Sequence, residues 1–184
     1  TPIPLTLTDW TGSLAFPKFD QALGTLTMVQ LDLSATMNTV LTITNNSPEG
    51  SSGTGKTELQ VTVQDDGNNL TTPQLDINSA LYGYSLGAGN SATSGTLSKT
   101  GTSSDQYTSA DVLAEFNGPG TIILPASTFT QTWLTNNGGN TFASQVTNAS
   151  LTGSVTYFYT PVPEPSSVLS LAGMLLPVAL RLRR

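Results

Sequence analysis

The sequence predicts an all-β domain, an antiparallel β-sandwich of jelly-roll type with at most one short helix, followed by a C-terminal membrane helix. Three observations carry this. Apolar residues recur at every second position in many segments, the period of a strand with one buried face. Clusters of Gly, Asn, Pro and Ser separate those segments at short intervals, as in sandwiches. The remaining positions are filled mainly by Thr, Ser and Asn, with charged residues at only 10%, and threonine suits exposed strand faces. The alternation in a chain 37% hydrophobic supplies a core that a disordered chain would lack. No repeat of 20–50 residues is visible.

In chain order, Ile3, Leu5 and Leu7 alternate with Pro4 and Thr6. Prolines cannot donate to a ladder, so residues 3–10 read as an edge strand or a free arm. Trp10, Leu14 and Phe16 are expected at one end of the core. Residues 24–35 read as a strand in which Leu26 and Met28 share a face. The phase slips after Val29, as at a β-bulge, and Leu31, Leu33 and Ala35 follow. Residues 39–45 read as its partner, with Leu41 and Ile43 inward. Residues 45–55 are turn formers and predict a mobile loop. Leu59, Val61 and Val63 mark the next strand, closed by a turn at 65–69. One or two short strands follow around Leu75, Ile77 and 81–86. Residues 87–106 form a long hairpin or a loop. Ser109 to Phe116 is the single helix candidate, with Ser109 as cap and Val112, Leu113 and Phe116 inward. Short strands are expected at 121–124 and 129–134, then a turn at 136–140. A last strand runs over 144–160, with Gly153 as a bulge or bend.

Composition excludes several kinds of function. There is no Cys and no His. That removes thiolate metal sites, the commonest general base and every Ser–His triad. Residues 1–160 carry three lysines against eleven carboxylates, a formal charge of −8. Such a surface repels phosphate backbones, so nucleic acid is not an expected partner. The chain opens Thr1-Pro2-Ile3-Pro4, without Met or an apolar leader, which predicts an export signal removed ahead of Thr1.

The C-terminal stretch has a different character. Residues 1–160 form the body, 161–165 a Pro-rich spacer, and 166–184 an apolar tail with a basic end. Pro161, Pro163 and Pro165 enforce an extended spacer. Ser166 to Leu180 carries no charge, and Val168, Leu169, Leu171, Leu175, Leu176, Val178 and Leu180 cover all sides of a helix rather than one stripe. As a helix it reaches about 22 Å, short of a hydrocarbon core of about 30 Å. Snorkelling by Arg181 extends it. Arg181, Arg183 and Arg184 stay cytoplasmic under the positive-inside rule, so the body lies outside.

Val162-Pro163-Glu164-Pro165, an apolar segment and a terminal arginine cluster, in that order, resemble the PEP-CTERM sorting signal of bacterial surface proteins. The resemblance covers residues 162–184. It implies export, recognition by a membrane-embedded exosortase-type enzyme with processing near the Pro-Glu-Pro tripeptide, and a place at the periplasmic or outer surface. Unless cleaved, the tail would remain as a membrane anchor. The body resembles the choice-of-anchor E type domain in Phe16-Pro17-Lys18-Phe19-Asp20, Leu23-Gly24-Thr25-Leu26, Asp111 to Phe116 with the following Gly-Pro-Gly-Thr, and Tyr157-Phe158-Tyr159-Thr160. That family implies location and fold and no established activity.

Motifs for chemistry are sparse. Asp65-Asp66, with Glu58, Asp76, Asp105 and Asp111 elsewhere, supplies oxygen ligands but no calcium-loop spacing, and reads as solvated turn acids. Gly53-Thr54-Gly55-Lys56-Thr57 lacks phosphate-loop spacing and reads as part of the mobile loop. Asn45, Asn69 and Asn148 head formal glycosylation sequons. Tyr82, Tyr84, Tyr107, Trp133, Tyr157 and Tyr159 could form a sugar-stacking platform, although Tyr157 and Tyr159 are better read as facing the core or a neighbouring strand. No catalytic residue, metal site or cofactor is expected. The expected function is that of a non-enzymatic surface protein, with a structural or interaction role in the envelope or extracellular matrix. The alternatives are an accessory subunit whose tail packs among transmembrane helices, a filament subunit pairing through residues 3–8, and a carbohydrate-active enzyme or carbohydrate-binding module.

Overall fold

The computed structural model describes residues 2–163 except 66, 68 and 71–73. Among them are nine strands and one α-helix. They are β1 (Ile3–Leu7), β2 (Thr11–Pro17), β3 (Gly24–Asn45), β4 (Ser51–Val63), β5 (Gln74–Asn78), β6 (Tyr82–Leu86), β7 (Ser91–Tyr107), α1 (Ala110–Phe116), β8 (Thr121–Asn137) and β9 (Thr141–Pro161). One sheet has the order β1-β9-β3-β7. The other has the order β2-β8-β4-β5, with β6 also on β4. Every strand pair is antiparallel. The two sheets pack face to face as a sandwich, as the alternation predicts.

The strands are longer and fewer than the sequence suggests. Residues 24–35 and 39–45 are not partners but one strand of 22 residues, β3. Residues 45–55 are mostly strand: the loop is confined to 46–50, and Gly53 to Thr57 lie within β4. Residues 87–106 hold the 17-residue β7, which pairs along β3. The segments 121–124 and 129–134 are one strand, β8. Pro125 does not break it. The β4–β8 ladder ends at Ala126, and beyond it the Pro125 carbonyl still accepts Gln64 N at 2.9 Å, so the proline forgoes a single bond at the ladder's end.

Phase is the second correction. The bulge in β3 falls between Leu26 and Met28, before Val29. It buries Leu26 and Val29 and turns Met28 partly out, so Leu26 and Met28 do not share a face. From Val29 to Asn45 every second residue is buried. β1 is an edge strand of its own sheet rather than a free arm. A register shift between Ile3 and Thr6 leaves Leu5 and Leu7 exposed. Gly153 marks no bulge, since it pairs in register with Leu33. A Cβ there would stand 3.0 Å from Leu14 and Phe16, so the glycine admits side chains of the opposite sheet. Ser109 precedes α1 but its side chain makes no capping bond. Val112 and Phe116, four apart, hold the helix in the core, with Leu113 partly buried against it.

The core has a polar division. A large cluster runs from Leu14 and Phe116 through Leu31, Leu59 and Leu124 to Met37. A smaller one holds Ile43, Tyr84 and Leu86. Thr39 lies between them on β3, fully buried. Its Oγ1 is 2.7 Å from Thr147 Oγ1 on β9 and 3.1 Å from Thr57 Oγ1 on β4, so three hydroxyls tie the two sheets together. Hydroxyls also pair outside. Thr36 meets Thr100 at 2.9 Å, Thr44 meets Ser91 at 2.8 Å, and Thr54 meets Thr135 at 2.8 Å.

Thr39→Val should lower stability by about 1–3 kcal/mol by stranding two buried hydroxyls. Replacing Thr39, Thr57 and Thr147 together by Val should recover most of that loss, as read by urea unfolding. Gly53→Ala should cost about 2 kcal/mol or more, because its Cβ would fall 2.0 Å from the Thr135 carbonyl oxygen. At Gly83, where a Cβ meets nothing within 4 Å, the same change should stay within about 0.5 kcal/mol. Equal melting points for the two alanine variants would contradict this register.

Candidate functional site

Two places gather side chains with chemical potential. The first lies where β4 ends. Beyond Val63 the chain turns in, and Asp65 is buried rather than solvated. Its carboxylate accepts the backbone N–H of Asn69 at 3.0 Å and of Leu70 at 3.1 Å, which holds Leu70 in the core. α1 sets Glu115 beside it, adjacent to the buried Phe116. The Asp65 and Glu115 side chains are hydrogen bonded to each other, and Asn69 Nδ2 donates to Glu115 Oε1. With Lys18, Thr121 and Ile123 they line a cleft of about 320 Å³.

Burial lifts the Glu115 carboxyl above its ordinary value, and the bond to Asp65 adds to this. Burial also opposes ionisation of Asp65, but the bonds from Asn69, Glu115 and Leu70 outweigh it and hold Asp65 below its ordinary value. Two adjoining carboxyls resist ionising together, which is the direction in which Glu115 moves. Burial, then Asp105 and Asp65, push the nearby Tyr107 up to about 12. Two carboxyls in direct contact are closer than the roughly 5–9.5 Å that glycoside hydrolysis uses. The pair works as a clamp between α1 and the segment after β4. Among the described residues no group of three or more Asp or Glu is placed to hold a metal ion.

The second place is the outer face of the sheet containing β8. Phe129 and Trp133 share a face of β8 beyond the end of its pairing with β2, four residues apart, and are 54% and 52% exposed. Trp133 Nε1 donates to Glu58 Oε2 at 2.7 Å, and Gln131 Nε2 donates to the same oxygen at 3.1 Å. Lys56 stands opposite Trp133 and Gln60 opposite Phe129 on β4, with Asp76 opposite Gln60 on β5.

The other aromatic residues named from sequence serve the fold. Tyr84 is buried and its hydroxyl donates to Thr135 O at 2.8 Å. Tyr82 packs against the smaller cluster, and Tyr107 is buried. Tyr157 packs on Phe19 and Phe116 and donates to Pro17 O at 2.7 Å. Tyr159 meets Phe19 with centroids 5.1 Å apart. Phe129 and Gln131 escape the sequence reading as site residues, and Glu58 enters it only among the scattered oxygen ligands. Their one available signal is parity along an unbroken β8 and its register with β4. Asn45, at a formal sequon, is fully buried and donates to Glu49 O and Gly87 O. Of the sorting signal, Val162 and Pro163 are described and exposed. Glu164, Pro165, Arg181, Arg183, Arg184 and the segment from Ser166 to Leu180 lie outside the described residues, as does Asp66. Among the described residues no helix is long and apolar enough to cross a membrane.

The acid pair has a pH signature. Glu115, raised on folding, stabilises while protonated, and that contribution is lost as pH rises through its folded value. Asp65, lowered on folding, stabilises while ionised, and that contribution is lost as pH falls through its folded value. The melting temperature should peak in the mildly acid range and fall on both sides. Glu115→Gln should flatten the alkaline limb and leave the acid limb. An unchanged profile between about pH 3 and 8 would show that folding shifts neither carboxyl.

No protein-family model and no curated protein matches the chain. Among solved structures it is similar to one of the Gx strain of infectious bursal disease virus, at 12% identity and a TM-score of 0.18 over 98% of this chain and 49% of that one. A structure of the Gt strain of the same virus gives 12% identity and a TM-score of 0.16 over 99% and 48%. The chain spans about half the length of these structures, and a likeness of this order carries no argument about function.

Proposed function

We propose that the chain is a non-enzymatic surface protein: a jelly-roll domain exported from a bacterial cell, sorted or anchored through its C-terminal tail, with a structural or interaction role in the envelope or extracellular matrix. The carrying observation is where the body stops. β9 pairs with β3 as far as Pro161. Among the described residues the last backbone bond runs from Val162 N to Leu23 O at 3.2 Å, and the Pro-Glu-Pro tripeptide begins one residue later. A processing enzyme or a bilayer would therefore meet the tail next to a closed sandwich edge. Leu23, Phe158, Tyr159 and Val162 are exposed at that same end, and aromatic residues favour membrane interfaces.

The jelly-roll reading is supported by the strand order. β5 and β6 share one edge of β4. Counted as one interrupted strand, they give eight strands in the order 1-9-3-7 and 2-8-4-5, the arrangement of two Greek keys. A retained tail packing among transmembrane helices of a larger complex is the second reading, favoured by the same exposed apolar end.

Fractionation of cells making the full chain, with mass spectrometry of the C-terminal peptide, tests the proposal. The protein should partition with envelope or surface material, and deleting residues 162–184 should release the body to the soluble exported fraction. Intact protein confined to the cytosol would overturn it.

A further inference from the structure

We propose that the outer face around Trp133 and Phe129 binds a neutral, chain-like polysaccharide. This gives a ligand to the interaction role proposed above and rests on that role. Binding by the folded body needs no tail, so failure of sorting and failure of binding are separate results.

Two exposed aromatic side chains on one face of β8, where it pairs with β4 alone, offer apolar platforms for the C–H faces of sugar rings. At about 3.4 Å per residue they stand roughly 14 Å apart. One pyranose ring cannot touch both, so the ligand is an oligomer. Trp133 is pre-set for contact, because its bond to Glu58 ties the ring to the sheet, which lowers the entropy lost on binding. Amides and carboxylates flank the two rings, with Gln60 opposite Phe129 and Asp76 beyond it. Such groups match hydroxyls as donors and acceptors.

Charge narrows the ligand. The face carries one cation, Lys56, already bonded to Asn78 Oδ1 at 2.6 Å, against the carboxylates Glu58 and Asp76. With a body at −8, an acidic glycan is repelled. A second protein would have to desolvate these amides and acids, whereas a polyol replaces their water with hydroxyls. Among the described residues no other surface has this combination. The depression of about 510 Å³ on the opposite sheet is lined by Asp32, Ser34, Thr102 and Ser104 and by no aromatic side chain. Asp32 there is already engaged by Ser104 and Gln30. Phe142 and Val146 are exposed on β9 but have no indole N–H fixed to a carboxylate beside them.

The test uses the purified full chain in a polyoxyethylene detergent, which has no sugar headgroup to compete. Affinity electrophoresis runs it through gels containing xyloglucan, galactomannan or hydroxyethylcellulose, with polygalacturonate as the acidic counterpart. At least one neutral polymer should retard the protein, and polygalacturonate should not. Trp133→Ala should weaken retardation by about tenfold and Phe129→Ala by about threefold, with melting temperatures unchanged because both side chains lie outside the core. No retardation by any neutral polymer, retardation by polygalacturonate alone, or retention unaffected by the double variant would overturn the proposal. So would self-association in sedimentation that Trp133→Ala abolishes without any change in sugar binding, which would assign the face to a second copy.

Discussion

The inward row of β3 is the constraint on which the sandwich depends. From Val29 to Asn45 it buries every second side chain, and it is flanked by β9 on one side and β7 on the other. A one-residue slip would turn the whole row to solvent. The bulge between Leu26 and Met28 sets the phase once, at the start of the strand, by letting Leu26 and Val29 both face in. Everything downstream inherits that setting, including Thr39, whose hydroxyl has its partners on both sheets only in this phase.

Which residues face inward was largely legible, and where strands end was not. Leu31, Leu33, Leu41, Ile43, Leu59, Val61 and Val63 alternate in the sequence and are buried. Loops were over-read because the outward faces of these strands are built from the residues that also make turns. β7 reads Ser-Ala-Thr-Ser-Gly-Thr-Leu-Ser-Lys-Thr-Gly over residues 91–101. No local signal separates that from a coil. What makes it a strand is β3 beside it, with Gly101 giving room to the Ile77 side chain. The same holds for Gly53 in β4, where the Thr135 carbonyl rather than turn geometry excludes a side chain, and Gly55 beside it faces Ile43 and Leu134 at close range.

The candidate sites were less legible because each depends on a long-range pairing. Asp65 and Glu115 are 50 positions apart, and nothing local says that α1 returns to the end of β4. Trp133 was visible as an aromatic residue, yet its role turns on Glu58 lying beside it across the β4–β8 ladder. Splitting β8 at Pro125 hid the fact that residues 129 and 133 continue the row of Ile123. The tail is the opposite case. Its sorting signature is local, contiguous and legible without any fold.

The hydroxyl pairs on the outer strands have a consequence for the setting in which such a domain can work. A surface hydrated through Thr, Ser and Asn holds its water by short-range neutral dipoles, and ionic atmospheres screen net charges rather than these. With only one residue in ten charged, the sandwich has little for salt to weaken. Thr36 with Thr100, Thr44 with Ser91 and Thr54 with Thr135 carry no net charge for an electrolyte to screen. These contacts are thereby indifferent to swings in salinity that would loosen a surface laced with ion pairs.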